Sequence, residues 1–340
     1  MRKTDRHKVL FIGIGGIGMS ALARYYNRTG WEVYGYDKTP TALTAQLQKE
    51  GIRVFHKEEA SLFENDTEKV IYTPAISTSN ALLTYARERG LPLYKRAEIL
   101  GILSKQYPCI AVAGTHGKTT ISGLLSHIFH TAGIPILAFV GGITTNYHTN
   151  LIYHEKPQFM IVEADEYDRS FLQLHPNLSV ISSIAPDHLN VYGNYEALQK
   201  AFTLFAQRTQ GTVVTQQQLL PVPWAHQSYG LEAGADYVAQ EIRVVNHQYE
   251  YTLSTPKGSI VMQSQVPGRH NVENAVAAVA IAQQVGIPLQ TVKKALASYR
   301  GIKRRYEFIL QEAHRQFIDD YAHHPEEMEV TIRTTKELFP

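Results

Sequence analysis

Short apolar runs closed by glycine or an acidic residue, each followed by helical spacing, recur along most of the chain. Val9-Leu10-Phe11-Ile12 reads as a buried strand, Gly13 to Gly18 as a turn, and Met19 to Asn27 as a helix. A second strand, Glu32 to Tyr36, closes on Asp37. Val70 to Tyr72 is a further strand, and helices follow over Ala81 to Arg89 and Ala97 to Leu103. The apolar pattern breaks between Ser104 and Pro108. A new strand, Ile110 to Ala113, then runs into Gly114, with Ile121, Leu124, Leu125 and Ile128 marking a helix. Strands at Ile136 to Val140, Phe159 to Val162 and Leu178 to Ile181, and a helix over Tyr195 to Ala206, continue the alternation. This βα rhythm predicts an α/β protein with mainly parallel sheets.

Residues 211 to 265 alternate with period two in places (Tyr249, Tyr251, Leu253; Ile260, Met262), which predicts antiparallel ribbons added to the sheet. Helices are expected over Asn271 to Val285 and Leu289 to Ser298, then a linker from Tyr299 to Arg305. Strands at Phe308 to Leu310 and Phe317 to Asp319 and one more helix finish the chain. The expected domains are 1–106, 107–299, and a linker with the start of a third domain over 300–340.

With 340 residues, 44% hydrophobic and 19% charged, the chain suits a soluble globular protein of two or three domains. A net charge of +2 supplies no basic field for nucleic acid. The one cysteine, Cys109, excludes an intramolecular disulfide. No apolar run approaches the roughly 18 residues of a membrane span, and no signal peptide is visible at the N-terminus, so a cytoplasmic protein is expected.

Two glycine turns carry the chemistry. Gly114-Thr115-His116-Gly117-Lys118-Thr119-Thr120 lies between a strand and a helix, where backbone N–H groups and the helix dipole hold phosphate. Lys118 can reach the terminal phosphates and a hydroxyl can ligate Mg²⁺. The general phosphate-loop pattern has an earlier glycine where this chain has Val112, so the loop is a shortened variant. Gly13, Gly15 and Gly18, with Asp37 some twenty residues on, form the dinucleotide fingerprint, whose glycines admit any pyrophosphate. Asp37 either bonds a ribose or only ends its strand.

Glu163-Ala164-Asp165-Glu166-Tyr167-Asp168 ends a buried strand; it delivers a carboxylate to metal at the phosphate loop or is a solvated turn. Asp187-His188 follows a third strand. Asn271 opens a helix, as a cap or a ligand contact. Arg304-Arg305 sits in the linker, and Asp319-Asp320-Tyr321-Ala322-His323-His324-Pro325 lies beyond it.

Together, in this order over nearly the whole chain, these segments resemble the Mur ligase family, especially members that join L-alanine to UDP-N-acetylmuramate. The resemblance implies a Rossmann-like first domain holding UDP-sugar through Gly13, Gly15, Gly16, Ile17, Gly18 and Asp37, with Arg169 and Ser170. It implies a central P-loop ATPase-type domain binding ATP at Gly114 to Thr120, Asn271, Asn274 and Asp320. Thr119, Glu163 and His188 would hold Mg²⁺; Lys118, His188 and Arg305 would serve catalysis; Tyr321 and His323 would meet the alanine. The implied reaction is ATP-dependent ligation through an acyl phosphate, in peptidoglycan precursor synthesis. Competing expectations are a murein tripeptide ligase on the same nucleotide sugar, an NAD-dependent oxidoreductase, which leaves Lys118 idle, and an inactive nucleotide-binding module.

The chain departs from the family at Ser183, Ala185, Asn190 and Ala322. About 40 residues follow Tyr299, against on the order of 100 for a complete Rossmann-like domain. The third domain is therefore read as incomplete, its segment either poorly ordered or packed on the central domain. Asp320, Tyr321 and His323 are then expected away from the Lys118 loop, in a chain that binds ATP and forms no peptide bond.

Overall fold

The computed structural model describes residues 7–64, 66–187, 189–224, 227–312 and 314–340. They group into two compact units, Met1–Leu103 and Ser104–Pro340.

In the first unit β1 (Lys8–Ile12), α1 (Ile17–Arg28), β2 (Glu32–Tyr36), α2 (Ala42–Lys49), β3 (Arg53–Phe55), β4 (Thr67–Tyr72), α3 (Ala81–Glu88), β5 (Leu93–Lys95) and α4 (Arg96–Gln106) follow one another, α4 ending just beyond the unit. The strands form a parallel sheet in the order β3-β2-β1-β4-β5. Burial on both faces explains the continuous Val9 to Ile12 run, whose four side chains are fully buried. The helix expected from Ala97 to Leu103 runs on to Gln106. Ser104 is buried there, and its hydroxyl accepts the His175 N–H at 3.1 Å.

The second unit begins with β6 (Cys109–Ala113), α5 (Lys118–Thr131), β7 (Ile136–Phe139), β8 (Leu151–Tyr153), β9 (Phe159–Ala164) and β10 (Leu178–Ile181). Next come α6 (Leu189–Tyr192), α7 (Tyr195–Arg208), β11 (Val213–Gln216), β12 (Gln227–Gly230), β13 (Tyr237–Val245), β14 (Gln248–Thr255) and β15 (Gly258–Ser264). Helices α8 (Arg269–Gln284) and α9 (Leu289–Ser298), hairpin β16 (Glu307–Glu312) and β17 (Arg315–Asp319), and α10 (Pro325–Leu338) complete it. The sheet order is β15-β14-β13-β12-β11-β10-β6-β9-β7-β8. Only part of the 211 to 265 expectation holds: β11, β12 and β13 pair parallel, and antiparallel pairing begins between β13 and β14. Val213 to Gln216 are buried throughout, which a parallel core strand requires and period-two reading misses.

Helices α5 and α8 supply long buried faces to one apolar cluster with the sheet, in which Val272 and the run from Val276 to Ala282 are fully buried. The C-terminal segment packs on this body. Tyr249 donates to Glu337 at 2.8 Å, His247 stacks on Phe339 at 5.0 Å, and Leu338 is buried.

Candidate active site

Strand β6 lies between β10 and β9, so the loops leaving the carboxyl ends of these three strands converge, as they do at the switch point of an open α/β sheet. The loop after β6 is Gly114 to Gly117, and Val112 is buried inside the strand, so the shortened loop starts only at Gly114. Gly114 and Gly117 have φ of +135° and +85°. A Cβ on Gly114 would lie 2.1 Å from the Ser182 hydroxyl, and one on Gly117 2.6 Å from Asn274 Oδ1. Both glycines are required by close approach as well as by conformation.

The segment after β10 clamps the loop. Ser183 accepts the Thr115 N–H on its carbonyl at 3.1 Å and the His116 N–H on its hydroxyl at 2.8 Å. The Thr115 hydroxyl accepts the Ala185 N–H at 2.9 Å, and the Ser182 hydroxyl donates to the His116 carbonyl at 2.5 Å. Ser182 and Ser183 hold the loop in place, a part that sequence reasoning missed, although Ser183 and Ala185 stood out as departures from the family pattern.

Lys118 and Thr119 open α5, with Thr120 in the same turn. The Lys118 ammonium donates to the Gly114 carbonyl at 2.5 Å and to Glu166 at 2.8 Å, and its pairing with this almost fully buried carboxylate escaped sequence reasoning. Glu163, at the end of β9, faces the other side of the helix start. Its carboxylate accepts from the Gly141 N–H at 2.6 Å, Ser122 at 3.1 Å and Thr119 at 3.3 Å. Burial raises the Glu163 carboxyl above its usual range, opposed by the Gly141 N–H, Lys118, Ser122 and Thr119. Thr119, Ser122 and Glu163 form an all-oxygen donor set of the kind a hard divalent cation takes. His188 lies outside the described residues.

Asn271, in the first turn of α8, is buried and donates to the Pro267 carbonyl at 2.6 Å, and Asn274 carries the helix to Gly117. Beyond the linker, Asp320 accepts the Tyr306 and Ala322 N–H groups, each at 2.7 Å, and Arg304 lies over the Tyr321 ring at 4.7 Å. Separation from the loop was expected for Asp320, Tyr321 and His323, but the same segment meets the loop at Glu327. Glu327, in the first turn of α10, sits 3.4 Å from His323 and 3.7 Å from His116 of the phosphate loop. Although burial raises it, the His323 and His324 N–H groups, the His323 imidazole and Arg305 hold the Glu327 carboxyl below its usual value.

In the first unit the glycine turn leads into α1, with Gly16 as N-cap and Ile17 as first helical residue. Asp37 accepts the Gly15 N–H at 2.8 Å and the Thr39 N–H at 3.1 Å. A Cβ on Gly18 would lie 2.6 Å from the Arg96 guanidinium, a cation at this turn that the glycine pattern does not reveal. Arg169 and Ser170 belong to the second unit, in a 3₁₀ turn spanning Tyr167–Gln173, where Arg169 lies over the Tyr192 ring at 5.6 Å.

Known proteins match the chain over nearly its whole length. The Mur ligase family catalytic domain matches residues 8–108, and the Mur ligase middle domain matches residues 112–282. A UDP-N-acetylmuramate--L-alanine ligase of Flavobacterium psychrophilum is 42% identical over 348 residues, covering 100% of this chain and 77% of that protein. One of Cytophaga hutchinsonii is 39% identical over 358 residues, covering 100% and 76%. Among solved structures, the UDP-N-acetylmuramate-alanine ligase MurC of Thermotoga maritima superposes with a TM-score of 0.90 at 31% identity, over 98% of this chain and 78% of that one.

Proposed function

The chain belongs to the Mur ligase family, and from that membership we propose that it joins L-alanine to the lactyl carboxylate of UDP-N-acetylmuramate at the expense of ATP. The single observation that carries the reading to the residues is the Lys118 loop, pinned between β6 and α5 beside the Glu163 carboxylate. The 31–42% identity to alanine ligases over almost the whole chain supports the choice of amine.

The chemistry needs ATP because a carboxylate and an ammonium do not condense at pH 7: the carboxylate is a poor electrophile and oxide a poor leaving group. The lactyl carboxylate oxygen attacks the γ-phosphorus of ATP and ADP leaves. The neutral amine of alanine then adds to the acyl phosphate carbonyl, and the tetrahedral intermediate expels inorganic phosphate. With the Thr115 and His116 N–H groups taken by Ser183, the Gly117 to Thr120 end of the loop presents its backbone N–H groups to the phosphates of the substrate ATP. Lys118 and Arg305 supply positive charge as phosphoryl transfer proceeds. Thr119 and Glu163, with His188, would hold Mg²⁺, which when bound neutralises phosphate charge. Asn271, Asn274 and Asp320 are assigned to the nucleoside, and Tyr321 and His323 to the amino acid. Gly13 to Gly18, joined by Arg96, is assigned to the UDP diphosphate; Asp37, already bonded to Gly15, holds the turn's shape.

The test is phosphate release from ATP in the presence of UDP-N-acetylmuramate and either L-alanine or an L-alanyl tripeptide. Release that requires L-alanine is expected. Release with the tripeptide and none with alanine would replace this reading with the murein peptide ligase.

A further inference from the structure

The Lys118 ammonium has an acceptor for each of its three protons inside the protein: the Gly114 carbonyl at 2.5 Å, the Thr115 carbonyl at 3.3 Å and the Glu166 carboxylate at 2.8 Å. The Glu166 side chain is 2% exposed, against 17% for Lys118. The segment carrying it is fixed from behind, with the Glu166 carbonyl accepting the Tyr192 hydroxyl at 2.6 Å and the Arg169 N–H at 3.0 Å. Asp168 and Arg169 then take left-handed φ values of 53° and 54°, which turn the chain sharply after Glu166. The end of β9 thus sends two carboxylates to two different partners, Glu163 to the hydroxyls and Glu166 to the ammonium.

We propose that Glu166 is a positioning residue acting through Lys118. It keeps the ammonium folded onto its own loop until nucleotide phosphate takes one of its hydrogen bonds, and it then holds the lysine in register for phosphoryl transfer. This rests on the reading of Lys118 as a phosphate contact. A buried carboxylate that merely filled space would not need a charge partner in a loop suited to anions. Because the same ammonium serves carboxylate and phosphate in turn, the latch lowers nucleotide affinity while raising the rate of the bound state.

The experiment measures ATP affinity by calorimetry and steady-state phosphate release for wild type, E166Q, E166D, K118A and K118A/E166Q, all with Mg²⁺. E166Q keeps the shape and removes the charge. It is expected to bind ATP about tenfold more tightly and to turn over at least tenfold more slowly, because removing a competing charge strengthens one step and misplaces the lysine in the other. E166D, with charge but shorter reach, is expected between E166Q and wild type, and decides the matter if E166Q does not fold. In the K118A background E166Q is expected to leave affinity unchanged. A merely structural glutamate would weaken binding and stability together, which overturns the proposal. So would equal tightening with and without Lys118, since the carboxylate would then act directly on the nucleotide. If K118A itself bound and turned over ATP normally, the phosphate-loop reading would fall, and the latch with it.

Discussion

A Cβ on Gly117 would lie 2.6 Å from Asn274 Oδ1, so the phosphate loop and α8 meet at a position that has no room for a side chain. Gly117 also holds φ at +85°. Gly117→Ala therefore combines left-handed strain, about 1–2 kcal/mol, with displacement of the Asn274 amide. The expected result is a loss of stability of that order in denaturant titration and at least tenfold weaker ATP binding by calorimetry.

Lys118→Ala should cost turnover a factor of about 10² or more, the usual effect of losing a charge contact in the transition state. It should also destabilise the fold. Removing the lysine leaves the Glu166 carboxylate buried without its partner, at a cost of up to about 3 kcal/mol. Activity assays with parallel denaturant titrations check both halves, and an unchanged midpoint would contradict the second.

UDP should bind the protein and NAD should not, because the proposed function gives the first glycine turn to a nucleotide sugar. Arg96→Ala, which removes the cation against Gly18, should weaken UDP binding about tenfold without changing ATP affinity. Calorimetry with each nucleotide is the check, and NAD binding tighter than UDP would reverse the assignment.

Stability should fall on acidification partly through His127. Its two ring nitrogens meet the Tyr147 hydroxyl at 2.6 Å and the Ser298 hydroxyl at 2.9 Å. Burial, with the neighbouring His130, pushes its pKa down from 6.5 to about 4. In that window the unfolded chain takes up a proton that the native protein refuses. The stabilisation is therefore complete above pH 6.5 and is lost as the pH falls towards 4, by up to roughly 3 kcal/mol. His127→Asn should narrow its stability gap from wild type as the pH drops from 7.5 to 4.5, measured by denaturant midpoint.

The two glycine turns were legible because each is local: an apolar strand, the glycines and the helix start are contiguous in the chain. So was Glu163, which directly adjoins a strand; the helix expected to open at Asn271 begins two residues earlier, at Arg269, with Gly268 as its cap. What stayed hidden depends on partners brought from elsewhere. Ser183 looked like a loss from the family pattern, yet its hydroxyl and carbonyl hold a loop some 70 residues upstream. The pairing of Lys118 with Glu166 was hidden because the two lie 48 residues apart along the chain. The bond from the Gly15 N–H to Asp37 joins two residues 22 apart in the chain, and neither reading of Asp37 from the sequence included it. Nothing in the sequence singled out Glu327, and only folding sets it beside His116.

The most direct measurement follows oxygen. UDP-N-acetylmuramate labelled with ¹⁸O in its lactyl carboxylate is turned over with ATP and L-alanine, and the released inorganic phosphate is examined by mass spectrometry. Attack of the carboxylate on the γ-phosphorus, followed by displacement by the amine, carries one labelled oxygen into each phosphate. Phosphate free of ¹⁸O, alongside formation of the alanyl product, would contradict the acyl phosphate route.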